Sequence, residues 1–206
     1  MLKQIFTYSI IAVGFLLLLV LYGAVLNSTE KSLLENLTEK GLDVDGDFII
    51  VINKSNNFLE VFSDSILIKR YHASIGTFVE KNTTKRLIGT PSGIYKICRI
   101  DTTSQFQKSF FINYPNLEDS EKAFKMGILT EKEFEQLKFD FYYSKCINDQ
   151  TRLGGNISIH GTGAHDFFIS NLPFVFNWTD RSVGLSNSAI AELNLVMREG
   201  TIVEFK

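Results

Sequence analysis

The sequence predicts a mainly β domain with a few helices, of the α+β class, behind an N-terminal transmembrane helix. An uncharged apolar run occupies residues 5–26, and the chain after it consists of short β-type runs separated by turn residues, with two well-capped helices. The part after residue 26 is long enough for one domain with its own core. We therefore expect a cytoplasmic N-terminus at residues 1–4, an anchor at 5–26, a stalk at 27–46 and one domain at 47–206.

The apolar run is long enough to cross a membrane as a helix. Residues 5–26 read IFTYSIIAVGFLLLLVLYGAVL, and at 1.5 Å per residue they span about 33 Å, against about 30 Å of hydrocarbon in a bilayer. A cleaved signal peptide is the alternative, but its apolar region would be shorter and would end in a small-x-small site. Lys3 precedes the run and favours a cytoplasmic N-terminus, so the domain would face the periplasm or the cell exterior.

The polar stalk contains a predicted short helix. Leu33, Leu34 and Leu37 recur at helical spacing within it, and Gly41 follows as a stop signal.

The predicted domain contains seven strand-like runs and two helices with clear start signals. Thr130 and Glu133 form a capping box that opens one helix, and Asn187 or Ser188 is expected to cap a second helix that ends at Gly200. The expected strands are residues 48–53, 58–62, 66–75, 94–100, 110–113, 156–160 and 201–205.

Charge and cysteine content exclude several functional classes. The chain has 21 basic and 23 acidic residues, and Lys3 is the one charged side chain in residues 1–26, so the remainder has a net charge of −3. A nucleic-acid-binding protein needs a basic surface, so we expect no nucleic-acid partner. The histidines and cysteines do not cluster at metal-ligand spacing, so we expect no metal and no cofactor. The two cysteines, Cys98 and Cys146, could form a disulfide bond or remain as buried thiols.

Two segments contain the candidate catalytic residues. His160 ends a β-type run and is followed by a glycine-rich stretch that begins with Gly161, which is a common way to present a base to a cleft. Ser182 lies in a polar loop just before a helix, where backbone N–H groups could hold an oxyanion. Ser182 and His160 could form a nucleophile–base pair. The alternative is that His160 is structural and that Ser182 is an ordinary loop serine.

Four segments in the same order resemble the L,D-transpeptidase catalytic domain of the YkuD type, from about residue 47 to residue 205. Residues 90–95 (TPSGIY) resemble the family's TP-x-G-x-[FY] segment, and residues 114–133 (YPNLEDSEKAFKMGILTEKE) resemble a YPN followed by an acidic helix. Residues 153–161 (LGGNISIHG) resemble the strand that carries the catalytic histidine. Residues 178–187 (WTDRSVGLSN) resemble the nucleophile loop in its WTAGCIALSN version.

The resemblance implies a β-sandwich or barrel that joins or trims the peptide stems of peptidoglycan through a cysteine acyl-enzyme. His160 and Gly161 match the catalytic histidine and the glycine after it. Ser182 stands at the position of the catalytic cysteine, Arg181 at that of the glycine before it, and Asp180 one residue earlier. Asp180 is expected to act as an electrostatic partner in the catalytic set.

Further residues of these segments are expected to bind substrate. The expected set comprises Trp178, Thr179 and Arg181 of the nucleophile loop and Tyr114 of the YPN segment. Arginine can bind a carboxylate through two parallel hydrogen bonds, but it can also fill the substrate channel.

The change from cysteine to serine alters the chemistry that the site requires. A thiol with a pKa near 8.5 can become a thiolate before the substrate arrives, whereas a serine must lose its proton during attack to a well-aligned base.

Three functions remain open from the sequence. The first is a serine-dependent acyl transferase or hydrolase with Ser182 as nucleophile and His160 as base. The second is a catalytically inactive binding or scaffold protein of the cell envelope, and the third is a Ser-dependent enzyme repurposed for another envelope polymer. In each case the expected partners are peptidoglycan or another cell-envelope polymer and, through residues 5–26, the lipid bilayer.

Overall fold

The computed structural model describes residues 1–76, 89–144, 146–147, 152–172 and 177–206, and at Leu2 only the backbone. In this part of the chain the helices are α1 (Leu2–Ser28), α2 (Leu33–Glu39), α3 (Leu117–Lys125), α4 (Glu131–Tyr143), α5 (Asp166–Ser170) and α6 (Asn187–Leu193). The strands are β1 (Ile49–Asn53), β2 (Phe58–Ser63), β3 (Ile66–His72), β4 (Ser74–Ile75), β5 (Gly93–Asp101), β6 (Ser109–Ile112), β7 (Ser158–Gly161), β8 (Val183–Leu185) and β9 (Ile202–Phe205).

Helix α1 is the apolar N-terminal helix that the sequence predicts. Its most apolar 18-residue window has a mean hydropathy of 2.7, and by length and composition the helix could cross a membrane. A signal sequence near the N-terminus has the same length and composition. Most of its large apolar side chains are exposed, including Phe15 at 62%. A helix that exposes so much apolar surface requires an apolar environment or an apolar partner.

Strands β1–β9 form one sheet in the order β3-β2-β1-β9-β5-β6-β7-β8-β4. The C-terminal strand β9 lies between β1, to which it is parallel, and β5, to which it is antiparallel. The two edge strands, β3 and β4, are separated in sequence only by Ala73. Eight strand spacings would cover about 38 Å in a flat sheet, so one residue can join the edges only if the sheet curls back on itself. The fold is therefore the predicted α+β class built on a curled sheet.

The main core lies inside this curl and follows from the alternation of the strands. In β2, Leu59 and Val61 are fully buried while Phe58, Glu60 and Phe62 are partly exposed, as a period of two residues requires. Helix α6 adds Ile190 and Leu193, and the stalk helix α2 adds Leu33 and Leu37 to the same cluster. Each buried aliphatic side chain of this kind contributes about 1.5–3 kcal/mol relative to exposure.

Helices α3 and α4 form a helical insertion with a second, smaller core. Each has a complete capping box at its N-terminus, Asn116 with Asp119 and Thr130 with Glu133, which explains where each helix begins. The insertion packs around a separate apolar cluster that includes Leu137 and Leu153. A disulfide bond ties the insertion to the sheet.

The disulfide joins Cys98 in β5 to Cys146, with the two Cα atoms 5.3 Å apart. Of the two alternatives that the sequence leaves open for these cysteines, the structure therefore contains the disulfide bond.

Some element boundaries differ from the sequence-based predictions. The predicted strand 66–75 is interrupted at Ala73, where the chain passes from one edge of the sheet to the other. Helix α6 is capped by the Ser186 side chain, which accepts a hydrogen bond from Ala189 N, so the prediction of Asn187 or Ser188 as cap was wrong. The helix also ends at Leu193 rather than near Gly200, because the following residues turn to bring β9 into the sheet.

Candidate functional site

The candidate base, His160, lies on the interior strand β7. This strand pairs antiparallel with β6 and parallel with β8, and His160 faces Ser109 and Gly184 in register. Its imidazole is 6% exposed and lies between two aromatic rings, with centroid distances of 4.5 Å to Phe106 and 5.4 Å to Trp178. The ring is therefore held in one orientation by packing.

Hydrogen bonding and burial favour the neutral form of His160. Its Nδ1 atom lies 2.9 Å from the Gly161 carbonyl oxygen, and because a carbonyl only accepts, Nδ1 carries the proton in this contact. Burial lowers the pKa of His160 below its ordinary value, and the hydrogen bond to Gly161 opposes that shift. Near neutral pH the imidazole therefore has an unprotonated Nε2, which is the form that a general base requires.

The position of Gly161 has no space for a side chain. A Cβ atom there would lie 2.5 Å from the Asn187 Oδ1 atom and 2.8 Å from the Phe106 carbonyl oxygen. Both neighbours are part of the site, since Phe106 packs on His160 and Asn187 donates through its amide to the Gly163 carbonyl.

Ser182 lies directly before β8 and is half-buried. The Ser158 N–H donates to its Oγ atom at 3.2 Å, and its carbonyl accepts from the Thr179 hydroxyl at 2.7 Å. The parallel register pairs Ile159 with Val183, so Ser182 lies beside Ser158, two residues before His160 and about 7 Å away along the strand. Among the described residues, no hydrogen bond joins Ser182 to His160.

The Arg181 side chain reaches two residues outside its own loop, Leu153 and Tyr114. One terminal nitrogen donates to the Leu153 carbonyl at 2.8 Å, and the guanidinium carbon lies 5.5 Å from the centre of the Tyr114 ring. Its Nε atom is buried, and within the described ranges it has no hydrogen-bond partner and no carboxylate forms an ion pair with the guanidinium. The cation is therefore positioned but not neutralised by the described part of the chain.

Tyr114 offers the Arg181 guanidinium a neutral ring rather than a counter-charge. Burial, with a smaller effect of the Asp119 carboxylate, raises the pKa of Tyr114 to about 12, and Arg181 opposes the shift. At neutral pH the phenol is protonated, so its contact with Arg181 is a cation–π and hydrogen-bonding contact.

The remaining predicted site residues lie on the same loop. Trp178 crosses β8 at Gly184, where a Cβ atom would lie 2.3 Å from the indole ring, and its backbone N–H donates to the Ser74 hydroxyl at 2.9 Å. Asp180 is exposed, and its carboxylate has no hydrogen-bond or ion-pair partner in the part of the chain that the structure describes. Asp180 as an electrostatic partner of His160 therefore stays a prediction.

Several residues that shape the site were not found from the sequence. Phe106, Gly184, Ser74 and Leu153 come from four separate segments and have ordinary identities for a loop, a strand or a turn. Among these residues only Gly184 had a signal in the sequence, because a glycine close to Trp178 in sequence can indicate a strand that a large ring packs against.

A cavity of about 830 Å³ has Trp178 in its lining. Its lining includes Thr162 and Gly184 beside the site, and Tyr22, Leu26 and Asn27 from the end of α1. The described residues hold no group of three histidine, cysteine, aspartate or glutamate side chains that could bind a metal ion.

The sequence matches the model of one protein family. Residues 47–205 match the model of the L,D-transpeptidase catalytic domain family (YkuD). No curated protein matches the sequence at a significant level.

The similar solved structures are distant from this chain. An L,D-transpeptidase of Xylanimonas cellulosilytica is 14% identical, with 78% of this chain and 61% of that chain covered and a TM-score of 0.44. An L,D-transpeptidase of Mycobacterium smegmatis is 9% identical (78% and 59% covered, TM-score 0.45), and a protein of Bdellovibrio bacteriovorus is 19% identical (77% and 47% covered, TM-score 0.48). This chain therefore spans about half to three fifths of the length of the structures it matches.

Proposed function

The chain belongs to the L,D-transpeptidase catalytic domain family, and on that premise we propose that it binds peptidoglycan peptide stems without transferring them. We propose further that α1 anchors it in the cytoplasmic membrane, with residues 47–206 on the periplasmic or outer side. The half-buried guanidinium of Arg181, positioned next to Ser182 and without a carboxylate partner among the described residues, is the observation that carries this proposal.

Arg181 supports binding because peptide stems contain carboxylates. The hydrogen bond to Leu153 and the Tyr114 ring hold the guanidinium in one place, which lowers the entropy lost when a carboxylate binds. The terminal N–H groups that do not bond to Leu153 are donors of the kind that binds a carboxylate, whereas a ligand reaches the buried Nε–H only if the side chain moves.

The surroundings of Ser182 support the absence of acyl transfer. Its Oγ atom accepts from the Ser158 N–H, a contact that holds the hydroxyl at Ser158 rather than at His160. A serine without a hydrogen bond to the base is a poor nucleophile at neutral pH, because nothing removes its proton as it attacks.

Binding and turnover of defined muropeptides test the proposal. The full chain in detergent or nanodiscs is mixed with disaccharide-tetrapeptides, binding is measured by calorimetry, and products are followed by mass spectrometry. We expect binding without product, and binding weakened tenfold or more by Arg181→Gln or by amidation of the stem carboxylates. A crosslinked or trimmed product, or equal binding by the Arg181→Gln variant, would contradict the proposal.

One observation favours a second candidate, serine-dependent acyl transfer. His160 has the neutral form and the fixed orientation of a general base. A rotation of the Ser182 side chain away from Ser158 on substrate binding would then be needed for attack. Mass spectrometry after exposure to muropeptides or a β-lactam separates the candidates, since an adduct that disappears in Ser182→Ala establishes acyl transfer.

A further inference from the structure

The C-terminal end of α1 is in direct contact with α5 of the domain. The Asn27 side-chain amide donates to the Ser170 carbonyl at 3.0 Å and to the Asn171 Oδ1 atom at 2.9 Å. Four residues earlier, Gly23 approaches the same segment so closely that a Cβ atom there would lie 2.1 Å from the Asn171 carbonyl oxygen. The helix therefore meets the domain at α5 through a polar contact and a close backbone approach.

These contacts fix the position of α5 along the axis of α1. Asn27 is the first residue after the apolar run that ends at Leu26, so it lies where a membrane-spanning helix would leave the hydrocarbon. Val20 is 3% exposed although most neighbouring apolar side chains of α1 are exposed, and it lies about 10 Å below Asn27 along the helix axis. The contacts at Gly23 and Asn27 therefore place the C-terminal end of α5 at the boundary between the hydrocarbon and the lipid headgroups.

Helix α5 exposes two large aromatic side chains at this level. Phe167 is 56% exposed and Phe168 is 60% exposed, and their ring centroids are 5.5 Å apart. Their backbone is fixed, because the Asp166 Oδ1 atom accepts from Asn187 N at 2.8 Å and the Asn171 amide donates to the Phe167 carbonyl at 2.7 Å. Two adjacent phenylalanines exposed on an ordered turn are a feature of surfaces that contact an apolar partner.

We propose that Phe167 and Phe168 insert into the phospholipid bilayer beside α1, which gives the domain a second membrane contact. This inference rests on the proposed membrane anchor. The contact of Asn27 with α5 places the two rings next to the end of the apolar run of α1. The chain after residue 26 has a net charge of −3, so we expect the rings to enter the apolar boundary of the bilayer rather than to bind an anionic headgroup. With two contacts the domain has one orientation, and the cavity lined by Tyr22 and Asn27 opens next to the membrane surface.

Quenching of tryptophan fluorescence by brominated phospholipids measures this insertion in the full chain. Phe168→Trp is made in the otherwise unchanged protein, the variant is reconstituted into phosphatidylcholine vesicles, and the emission of the parent with its single Trp178 is subtracted. Tyr143→Trp serves as the matched control, because Tyr143 is an exposed aromatic residue of α4, which has no described contact with α1. We expect quenching of Phe168→Trp to be several-fold stronger than that of Tyr143→Trp.

A third variant separates failure of the insertion from failure of the anchor. Phe15→Trp places the reporter in the middle of α1, where every bilayer-spanning orientation requires strong quenching. Strong quenching at Phe15 with none above the control at Phe168 overturns the insertion alone, and absence of quenching at Phe15 overturns the anchor and the insertion with it.

Lipid composition and emission wavelength test the nature of the partner. Quenching of Phe168→Trp is expected to be similar in phosphatidylcholine vesicles with and without phosphatidylglycerol, because the contact is apolar. Quenching that appears only with the anionic lipid contradicts insertion by the two rings. A blue-shifted but unquenched emission would indicate a protein partner on this surface and would also overturn the proposal.

Discussion

The two sides of the candidate cleft, β7 with His160 and the loop with Arg181 and Ser182, differ in what holds them. His160 is buried on a strand of the sheet, where two aromatic rings and a backbone carbonyl fix its orientation. Arg181 is held by Leu153, which is part of the small core of the helical insertion, and by Tyr114. The His160 side has a neutral imidazole held in one orientation, whereas the opposite side contains a positioned cation and a Ser182 hydroxyl that is hydrogen-bonded to Ser158.

From this difference we propose that the His160 side of the cleft keeps the catalytic geometry of the family while the side with Arg181 and Ser182 has changed. The strongest test of this proposal is to restore the residues that the family has at positions 181 and 182. The double variant Arg181→Gly/Ser182→Cys returns a thiol to the nucleophile position next to an intact His160. We expect a covalent adduct with a β-lactam, detected by mass spectrometry, at a rate at least about a hundredfold above the parent.

Two further variants define what this gain depends on. Adding His160→Gln to the double variant should abolish the adduct, and Arg181→Gly/Ser182→Ala should not form one. Absence of any adduct in the double variant would mean that the base side is also unsuited to acyl transfer, and the comparison of the two sides would fail.

The disulfide bond tests whether the changed side depends on the helical insertion. Replacing Cys98 and Cys146 together by alanine opens a loop with a sequence separation of 48 residues, and loop-closure entropy predicts a loss of about 4 kcal/mol in the free energy of unfolding. Urea denaturation measures the loss. Reduced parent protein is the control for the missing bond without substitution, and a loss below about 1 kcal/mol would show that the small core is stable by itself.

The base side predicts a pH dependence of stability. Because burial lowers the pKa of His160 in the folded state, the unfolded chain binds this proton more readily as the pH falls. The His160 contribution to stability is therefore complete above pH 6.5 and declines as the pH falls through the folded-state pKa. Denaturation curves of the parent and of His160→Gln should converge as the pH falls below 6.5, and a constant difference would contradict the proposed neutral, buried imidazole.

The smallest expected effect concerns the hydrogen bond that shapes the nucleophile loop. Thr179→Val removes the hydroxyl that donates to the Ser182 carbonyl at 2.7 Å and should cost about 1 kcal/mol of unfolding free energy. Thr38→Val is a matched control, since Thr38 makes a similar 2.8 Å bond to the Leu34 carbonyl on the exposed stalk helix. Equal losses in the two variants would mean that the loop bond has no special role.

Much of the secondary structure could be predicted from local signals. The alternation in residues 58–62 identifies β2, and the capping box of Thr130 with Glu133 locates the start of α4 within one residue. Helix α6 was harder, because Ser186, Asn187 and Ser188 are all good capping residues and only the hydrogen bond to Ala189 N selects Ser186. The break at Ala73 has no local signal at all, since it results from curling of the whole sheet.

The sequence by itself determined the family, the fold class and the presence of an apolar N-terminal helix, and it named His160 and Ser182 as candidate site residues, because each depends on residue types in a local order. Only the tertiary structure decided that Cys98 and Cys146 pair, that Ser182 bonds to Ser158, and that Arg181 is held by Leu153 and Tyr114. Each of these contacts joins segments that are at least 24 residues apart in sequence, and such contacts depend on sheet curvature and strand register rather than on any local pattern.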